Sequence, residues 1–311
     1  MKKVALIFPG QGSQYVGMGK DLWERFPAAR EVFQEANAAL GYDLATLCFQ
    51  GPEEDLKLTA NTQPAILATS VAALRVMQTG REMTPIVAAG HSLGEYGALV
   101  AAGGLRFRDA VRLVHLRGKF MQEAVPVGVG TMAAIIGLSG AEVETLCREA
   151  ARGEILSPAN FNSPGQIAVS GHSAAVKRAV EMVSKQAGKK AVLLPVSAPF
   201  HCPLMKPAAE RLREALARVE TENLHFPVIA NVEADFYPGK DQIQELLFQQ
   251  VDHPVRWEES MVKLIGLKPD LVLEVGPGKV LSGLLRRISR EIPCANVEDG
   301  ATWEKVQGLL A

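Results

Sequence analysis

Short apolar runs alternate with longer amphipathic stretches along most of the chain. The continuous apolar runs, typical of strands buried on both faces of a parallel sheet, are residues 4–8 and 86–89, and residues 271–275 are predicted as a further strand. Helical patterning is predicted between and after these runs, at residues 21–40, 64–80, 107–123 and 280–290. Alternating strands and helices predict an α/β fold in which helices cover both faces of a parallel sheet.

Residues 127–196 interrupt this pattern with a different order of elements. There the order is strand, helix, strand, strand, helix, strand, which is that of a ferredoxin-like unit. The elements are predicted at residues 131–137, 141–151, 155–160, 166–170, 174–187 and 191–195. We therefore expect an α/β-hydrolase-like large domain formed by residues 1–126 and 197–311, with an inserted ferredoxin-like subdomain at residues 127–196.

The run Gly90-His91-Ser92-Leu93-Gly94 joins a predicted strand to a helix of small residues. It reads G-x-S-x-G, and its strand–turn–helix context is that of a nucleophile elbow. The two glycines allow strand and helix to approach closely while the serine occupies a strained turn. The pattern predicts Ser92 as a nucleophile, with a tightly packed structural turn as the alternative.

A serine nucleophile needs a base, and the sequence offers two arrangements. His201 lies in a proline-flanked loop after a predicted strand, at the edge where active-site groups of open α/β sheets collect. His253, with Asp235 or Asp241 as the third member, would instead follow the chain order of a hydrolase. Neither acid directly follows a convincing strand, so the hydrolase pattern is met only in part.

Composition argues against a nucleic-acid-binding protein, a membrane protein and a zinc or redox protein. The 311 residues carry a net charge of −1, which gives no general attraction to nucleic acids or membranes. Four scattered cysteines without a C-x-x-C pair indicate neither a zinc nor a redox site and favour a reducing compartment. No apolar stretch approaches the length of a membrane helix or signal-peptide core. We expect a cytoplasmic protein without a bound metal.

Seven motifs, in order, resemble the malonyl-CoA:acyl-carrier-protein transacylase family of fatty-acid synthesis. They are residues 8–14, 62–65, 90–95, 117–118, the loop around 201, 254–257 and 274–278. The resemblance implies an enzyme that moves malonyl from malonyl-CoA to the phosphopantetheine thiol of holo acyl carrier protein. The route implied is a malonyl-serine intermediate and ping-pong chemistry. The CoA thioester and phosphopantetheine are then substrates, and no cofactor is implied.

The resemblance also assigns the reacting groups. Ser92 is the nucleophile, and His201 is the base, oriented by a backbone carbonyl near Gln250. The backbone amides of Gln11 and Leu93 form the oxyanion hole.

Further residues receive binding roles from the resemblance. Arg117 pairs with the free carboxylate of malonyl, and Gln63 braces the Gln11 loop. Phe200 is the candidate for excluding the methyl group of methylmalonyl. The small subdomain contributes residues expected to line the cleft: Asn160, Asn162 and Gln166.

Two other functions remain open at this point. A serine hydrolase or thioesterase on the same elbow would release malonate to water and would not need Arg117. A binding protein could hold CoA esters without turnover, although the intact set of Ser92, His201, Gln11 and Arg117 argues against it. The sequence does not decide which carrier protein is used, or whether the pathway leads to fatty acids or polyketides.

Acyl carrier proteins are acidic, so docking onto this nearly neutral chain should use a local basic patch. The candidates are Lys185, Lys189 and Lys190 beside the cleft, and Arg286, Arg287 and Arg290 on what is predicted as the last helix. No element resembles a dedicated interface between subunits, and we expect a monomer.

Overall fold

The computed structural model describes residues 2–80, 83–196 and 198–311; Ser197, at the predicted domain boundary, lies outside the described residues. The strands are β1 Val4–Phe8, β2 Val87–Gly90, β3 Gly130–Ile136, β4 Leu156–Ser163, β5 Gln166–His172, β6 Lys190–Leu193, β7 Val228–Ala230, β8 Asp235–Phe236, β9 Leu271–Val275 and β10 Cys294–Val297. The helices are α1 Lys20–Arg25, α2 Pro27–Leu40, α3 Leu44–Gln50, α4 Glu53–Lys57, α5 Thr59–Gly80, α6 Gly94–Ala101, α7 Phe107–Glu123, α8 Gly140–Ala151, α9 Ser173–Ser184, α10 Lys206–Leu216, α11 Ile243–Gln249, α12 Trp257–Gly266, α13 Val280–Ile288 and α14 Gly300–Leu310. Short 3₁₀ turns lie at Pro203–Met205 and Lys240–Gln242.

The larger sheet has the strand order β10-β9-β1-β2-β7-β8. All neighbouring pairs are parallel except β7 with β8, which is antiparallel. Phe8 pairs with Gly90 and Ile7 pairs with Glu274, so the carboxyl ends of β1, β2 and β9 meet at one edge. That edge is where ligands of open parallel sheets bind, and it carries the elbow.

The smaller sheet is antiparallel, with the order β4-β5-β3-β6. Its elements follow the predicted sequence of strand, helix, strand, strand, helix, strand, and α8 and α9 cover a separate apolar core. A parallel-rich sheet beside a separate antiparallel sheet confirms the predicted mixed α/β class. The hydrolase-like description and the domain division stay predictions.

The small sheet is joined by backbone hydrogen bonds to the segment that precedes α12. Phe161 N donates to Val255 O at 2.9 Å, and Val255 N donates to Ala159 O at 2.8 Å. These bonds fix β4 of the small sheet against the segment that leads into α12.

Three helical predictions need correction. Residues 21–40 form two helices because Phe26 is extended and Pro27 starts α2 at its first turn. Helix α5 begins at Thr59 and contains Pro64; the Ala60 carbonyl that Pro64 leaves unpaired accepts a bond from His115 Nδ1 at 2.9 Å. The helix predicted at 280–290 is not the last, because β10 and α14 follow it.

Among the described residues, no helix is long and apolar enough to cross a membrane.

Candidate active site

Ser92 lies in the sharp turn between β2 and α6, with a positive φ of 51°. A left-handed backbone at a non-glycine residue costs on the order of 1–3 kcal/mol and persists only when neighbours hold it. Asn231, directly after β7, supplies that restraint. Its Oδ1 accepts from Ser92 N at 2.7 Å, and its Nδ2 donates to Gly90 O at 2.7 Å. The sequence analysis missed Asn231; a polar residue ending an apolar strand at this edge was the available signal.

The glycines of the elbow are required by close approach of the backbone. A Cβ on Gly90 would lie 1.9 Å from the carbonyl carbon of Gly94, and a Cβ on Gly94 would lie 2.0 Å from Phe8 O. No side chain fits in these gaps. The predicted close packing of strand against helix is therefore confirmed.

His201 is the histidine that reaches Ser92. Its Nε2 lies 2.8 Å from Ser92 Oγ, and its Nδ1 lies 2.8 Å from Gln250 O. A carbonyl only accepts, so Nδ1 carries the proton and Nε2 is left to accept from the serine hydroxyl. Burial, with Arg117 as the second cause, lowers the pKa of His201 to about 3. The imidazole is therefore neutral at neutral pH.

The alternative hydrolase arrangement is not assembled. His253 is half exposed, and its Nδ1 is bonded to Gln249 O and Asp252. Asp235 pairs with Lys263 on the surface. His253 thus completes no relay with Ser92, and that candidate triad is wrong.

Arg117 projects from α7 into the site and is only 2% exposed. Its Nη1 donates to Gln63 Oε1 at 2.9 Å, while Nη2 donates to Gln250 Oε1 at 2.9 Å and to Ser92 Oγ at 3.0 Å. Among the described residues, Nε has no partner. Its direct hydrogen-bond partners are all neutral, and burial lowers the pKa of Arg117. A buried guanidinium that has only neutral hydrogen-bond partners is suited to pair with an anion beside the serine.

Gln63 differs from its predicted contact. It was expected to brace the Gln11 loop, but its Oε1 accepts from Arg117 and its Nε2 approaches Met121 Sδ at 3.8 Å. The Gln11 side chain instead reaches Thr59 Oγ1 at 3.5 Å. Gln63 therefore orients Arg117, and its longer reach toward α7 was not visible in the sequence.

These groups surround a cavity of about 110 Å³ at the carboxyl edge of the large sheet. Its lining consists of Gln11, Gln63, His91, Ser92, Leu93, Arg117, Met121, Met132, Asn160, Leu194, Val196, Phe200 and His201. Among the described residues, the backbone amides of Gln11 and Leu93 donate to no backbone carbonyl. Two donors beside Ser92 are therefore available to a developing oxyanion.

The residues expected to line the cleft fall in three places. Asn160 and Phe200 do line the cavity. Asn162 lies behind it, with Oδ1 2.8 Å from His91 Nε2. Gln166 does not line this cavity, because it pairs with Ile136 at the far end of β3, and its place in a wider cleft stays a prediction.

Apolar lining residues were missed by the sequence analysis. Met121, Met132, Leu194 and Val196 come from α7, β3 and the segment after β6. In the sequence they are indistinguishable from ordinary core positions, and only the placement of the small sheet over the elbow brings them to the cavity.

The candidate basic residues for docking of a carrier protein lie in two separate regions of the structure. Lys190 pairs with Ile136, at the end of β6 remote from the cavity-lining Leu194. Arg286, Arg287 and Arg290 line a separate surface cleft with Cys294, the first residue of β10. Since β10 runs parallel to β9, that cleft is at the opposite edge of the sheet from Ser92. The arginines therefore do not flank the site.

In the described part of the chain, no cluster of three or more His, Cys, Asp or Glu residues could hold a metal.

Comparison with known proteins gives consistent matches over nearly the whole chain. The family described as the acyl transferase domain matches residues 5–307. The malonyl CoA-acyl carrier protein transacylase of Escherichia coli strain K12 is 51% identical over 288 residues, 93% of each chain. The structure of the enzyme of that name from Coxiella burnetii superposes with a TM-score of 0.95 at 44% identity, covering 98% of this chain and 96% of the other. A type II PKS acyl-carrier protein has been solved in complex with its malonyl-transacylase; that match has a TM-score of 0.95 at 47% identity and covers 99% of each chain.

Proposed function

This chain belongs to the malonyl CoA-acyl carrier protein transacylases of the acyl transferase family, and we propose that it transfers malonyl from malonyl-CoA to holo acyl carrier protein through a malonyl-Ser92 ester. The observation that carries the proposal is the convergence of two groups on one oxygen. Ser92 Oγ is 2.8 Å from a neutral imidazole and 3.0 Å from a buried guanidinium. This combination supplies a base and an anion receptor at the same atom.

The proposed acylation step begins at the Ser92 hydroxyl. His201 Nε2 takes its proton while Oγ attacks the thioester carbonyl. The amides of Gln11 and Leu93 stabilise the tetrahedral oxyanion. The C–S bond then breaks, and CoA leaves as a thiol with the proton returned by His201. The phosphopantetheine thiol attacks the malonyl-serine ester through the same steps in reverse.

Arg117 has two tasks in this scheme. In the empty site it donates to Ser92 Oγ and holds the pKa of His201 down. A malonyl carboxylate that pairs with the guanidinium neutralises its charge, which raises the basicity of His201 and frees the serine oxygen. An acyl group without a carboxylate leaves Arg117 with no directly bonded anion, so acetyl-CoA is expected to be a poor substrate.

The proposed reaction needs no separate cofactor, because both thioesters are substrates. An acyl carrier protein is the proposed second partner, in line with the solved complex of a similar malonyl-transacylase. The monomeric state and cytoplasmic location stay predictions.

The test is the intact mass of the protein after brief mixing with malonyl-CoA. Wild type should gain one malonyl group that holo acyl carrier protein removes, and Ser92→Ala should gain none. An adduct discharged by water equally fast without carrier protein would indicate a hydrolase. No adduct in wild type would refute the proposed function.

A further inference from the structure

Glu95 is a buried carboxyl that the proposed mechanism does not use. It lies in the first turn of α6, three residues after the nucleophile, and is 0% exposed. Its Oε2 accepts from Asn231 N at 3.1 Å and from Gln250 Nε2 at 2.6 Å, and its Oε1 accepts from the Tyr237 hydroxyl. A buried carboxyl with these donors is equipped to carry a negative charge.

A single amide group separates this carboxyl from Arg117. Gln250 Nε2 donates to Glu95, while Gln250 Oε1 accepts from Arg117 Nη2 at 2.9 Å. The amide dipole is thus aligned between a negative and a positive group. Within the described residues, no carboxylate bonds Arg117 directly, so Glu95 is its countercharge at one remove.

We propose that the Glu95 carboxylate balances Arg117 in the empty site and competes with the free carboxylate of the acyl group, so that its ionisation sets how tightly the site holds malonyl. The inference rests on the proposed function, because it concerns the same carboxylate-binding Arg117. Glu95 touches no reacting atom; it is a positioning and specificity residue that acts through Gln250.

The geometry allows Glu95 to accept a proton without losing a hydrogen bond. Both groups on Oε2 are amide donors that cannot reverse, whereas the partner of Oε1 is a hydroxyl that can accept instead. Protonation at Oε1 therefore keeps every contact. A substrate carboxylate arriving at Arg117 adds a second negative charge nearby, which favours this neutral form.

The ionisable groups that face Glu95 set its titration range. They are Arg117 from α7, Tyr237 from the segment after β8, and Tyr96 from α6 itself. Burial raises the pKa of Glu95 to about 7, against the opposing effect of its hydrogen bonds and Arg117. Burial also raises the pKa of both tyrosines, which stay neutral. Malonyl binding should therefore weaken as the pH rises through this range.

The test is single-turnover acylation of Ser92 against malonyl-CoA concentration, at pH 6 and pH 8, in wild type and Glu95→Gln. Glutamine can accept from Asn231 and Gln250 and donate to the Tyr237 hydroxyl, so the variant removes charge while keeping the contacts. Two like charges roughly 10 Å apart at an effective dielectric constant of about 20 predict a roughly tenfold lower half-saturating concentration in the variant at pH 8. At pH 6 the two proteins should agree. Comparison at each pH cancels titration of malonyl-CoA itself.

An uncharged reagent separates this effect from damage to the elbow. Phenylmethanesulfonyl fluoride forms an S–O bond at Ser92 and releases fluoride, with no role for Arg117 as a carboxylate receptor. Labelling of both wild type and Glu95→Gln shows that the elbow is intact, whereas the half-saturating concentration of malonyl-CoA reports on the carboxylate site. Normal labelling with unchanged or weaker malonyl binding at pH 8 would overturn the inference.

A second variant covers the case in which Glu95→Gln does not fold. Tyr237→Phe keeps the carboxyl but removes one donor, so the pH at which malonyl binding weakens should move upward; an unmoved transition would overturn the inference. A wild type that labels with the fluoride but never with malonyl would instead refute the proposed function itself.

Discussion

Replacing Arg117 by methionine tests the selectivity for a dicarboxylic acyl group. Methionine is unbranched, uncharged and shorter, so it removes the proposed carboxylate receptor while filling part of the space that arginine occupies. Removing one partner of a buried, hydrogen-bonded charge pair costs about 2–5 kcal/mol. Since about 1.4 kcal/mol is a factor of ten in rate, kcat/KM for malonyl loading should fall by roughly 30-fold to several thousand-fold.

Loading of acetyl-CoA should respond in the opposite direction. With acetyl bound, Arg117 of the wild type has no directly bonded anion, whereas the variant has no charge that needs one. The malonyl-to-acetyl preference should therefore collapse by at least the same factor as malonyl loading falls.

The assay is the rate of acyl-adduct formation by intact mass with each CoA ester. The matched control is Lys119→Met, which removes a positive charge from an exposed position of the same helix and should load malonyl as wild type does. Malonyl loading by Arg117→Met within a few fold of wild type would refute the assignment of Arg117 as the carboxylate receptor.

Three further predictions follow from particular groups. The pKa of His201 is about 3 in the folded chain against about 6.5 in the unfolded chain. Its contribution to the free energy of unfolding is therefore present above pH 6.5 and is lost as the pH falls toward 3. In urea denaturation, the free energy of unfolding of His201→Gln should fall less steeply with decreasing pH than that of wild type. Gly94→Ala should fail to fold or lose more than about 4 kcal/mol, whereas Gly283→Ala, with open space around its Cβ, should gain about 0.5–1 kcal/mol in thermal unfolding. Phe200→Ala should raise methylmalonyl transfer relative to malonyl in a competition assay, and an unchanged ratio would contradict a steric role for this cavity-lining ring.

The elbow was predictable because its requirements are local. Gly90 and Gly94 are dictated by contacts between residues that are near in sequence or on an adjacent strand, and a short motif records them. The fold of the small sheet could also be predicted from the order of its elements, since the rules for hairpin and crossover connections allow few other strand orders. Helix ends were less predictable: Pro64 sits inside α5 because His115, from another helix, takes over the Ala60 carbonyl.

The polar network around the elbow was not predictable from local pattern. Asn231, Tyr237 and Gln250 come from segments more than 100 residues beyond Ser92 in the sequence, and only the folded sheet brings them to Glu95. Gln63 was given the wrong partner for the same reason, because its contact with Arg117 depends on how α5 packs against α7. The roles of the reacting groups could be predicted from the family resemblance, whereas the hydrogen bonds that adjust their charge could be identified only in the folded structure.

The choice between thiol and water at the proposed ester follows from the weakness of the base. His201 is oriented by the Gln250 carbonyl rather than by a carboxylate, and burial, the largest cause of its lowered pKa, opposes formation of an imidazolium. Water, with a pKa of about 15.7, needs strong assistance from a base before it can attack an ester. A thiol, with a pKa of about 8.5, is partly ionised at neutral pH and needs far less. A base held this weak therefore favours discharge of the acyl group to phosphopantetheine over hydrolysis, and a carboxylate in place of the carbonyl would narrow that difference.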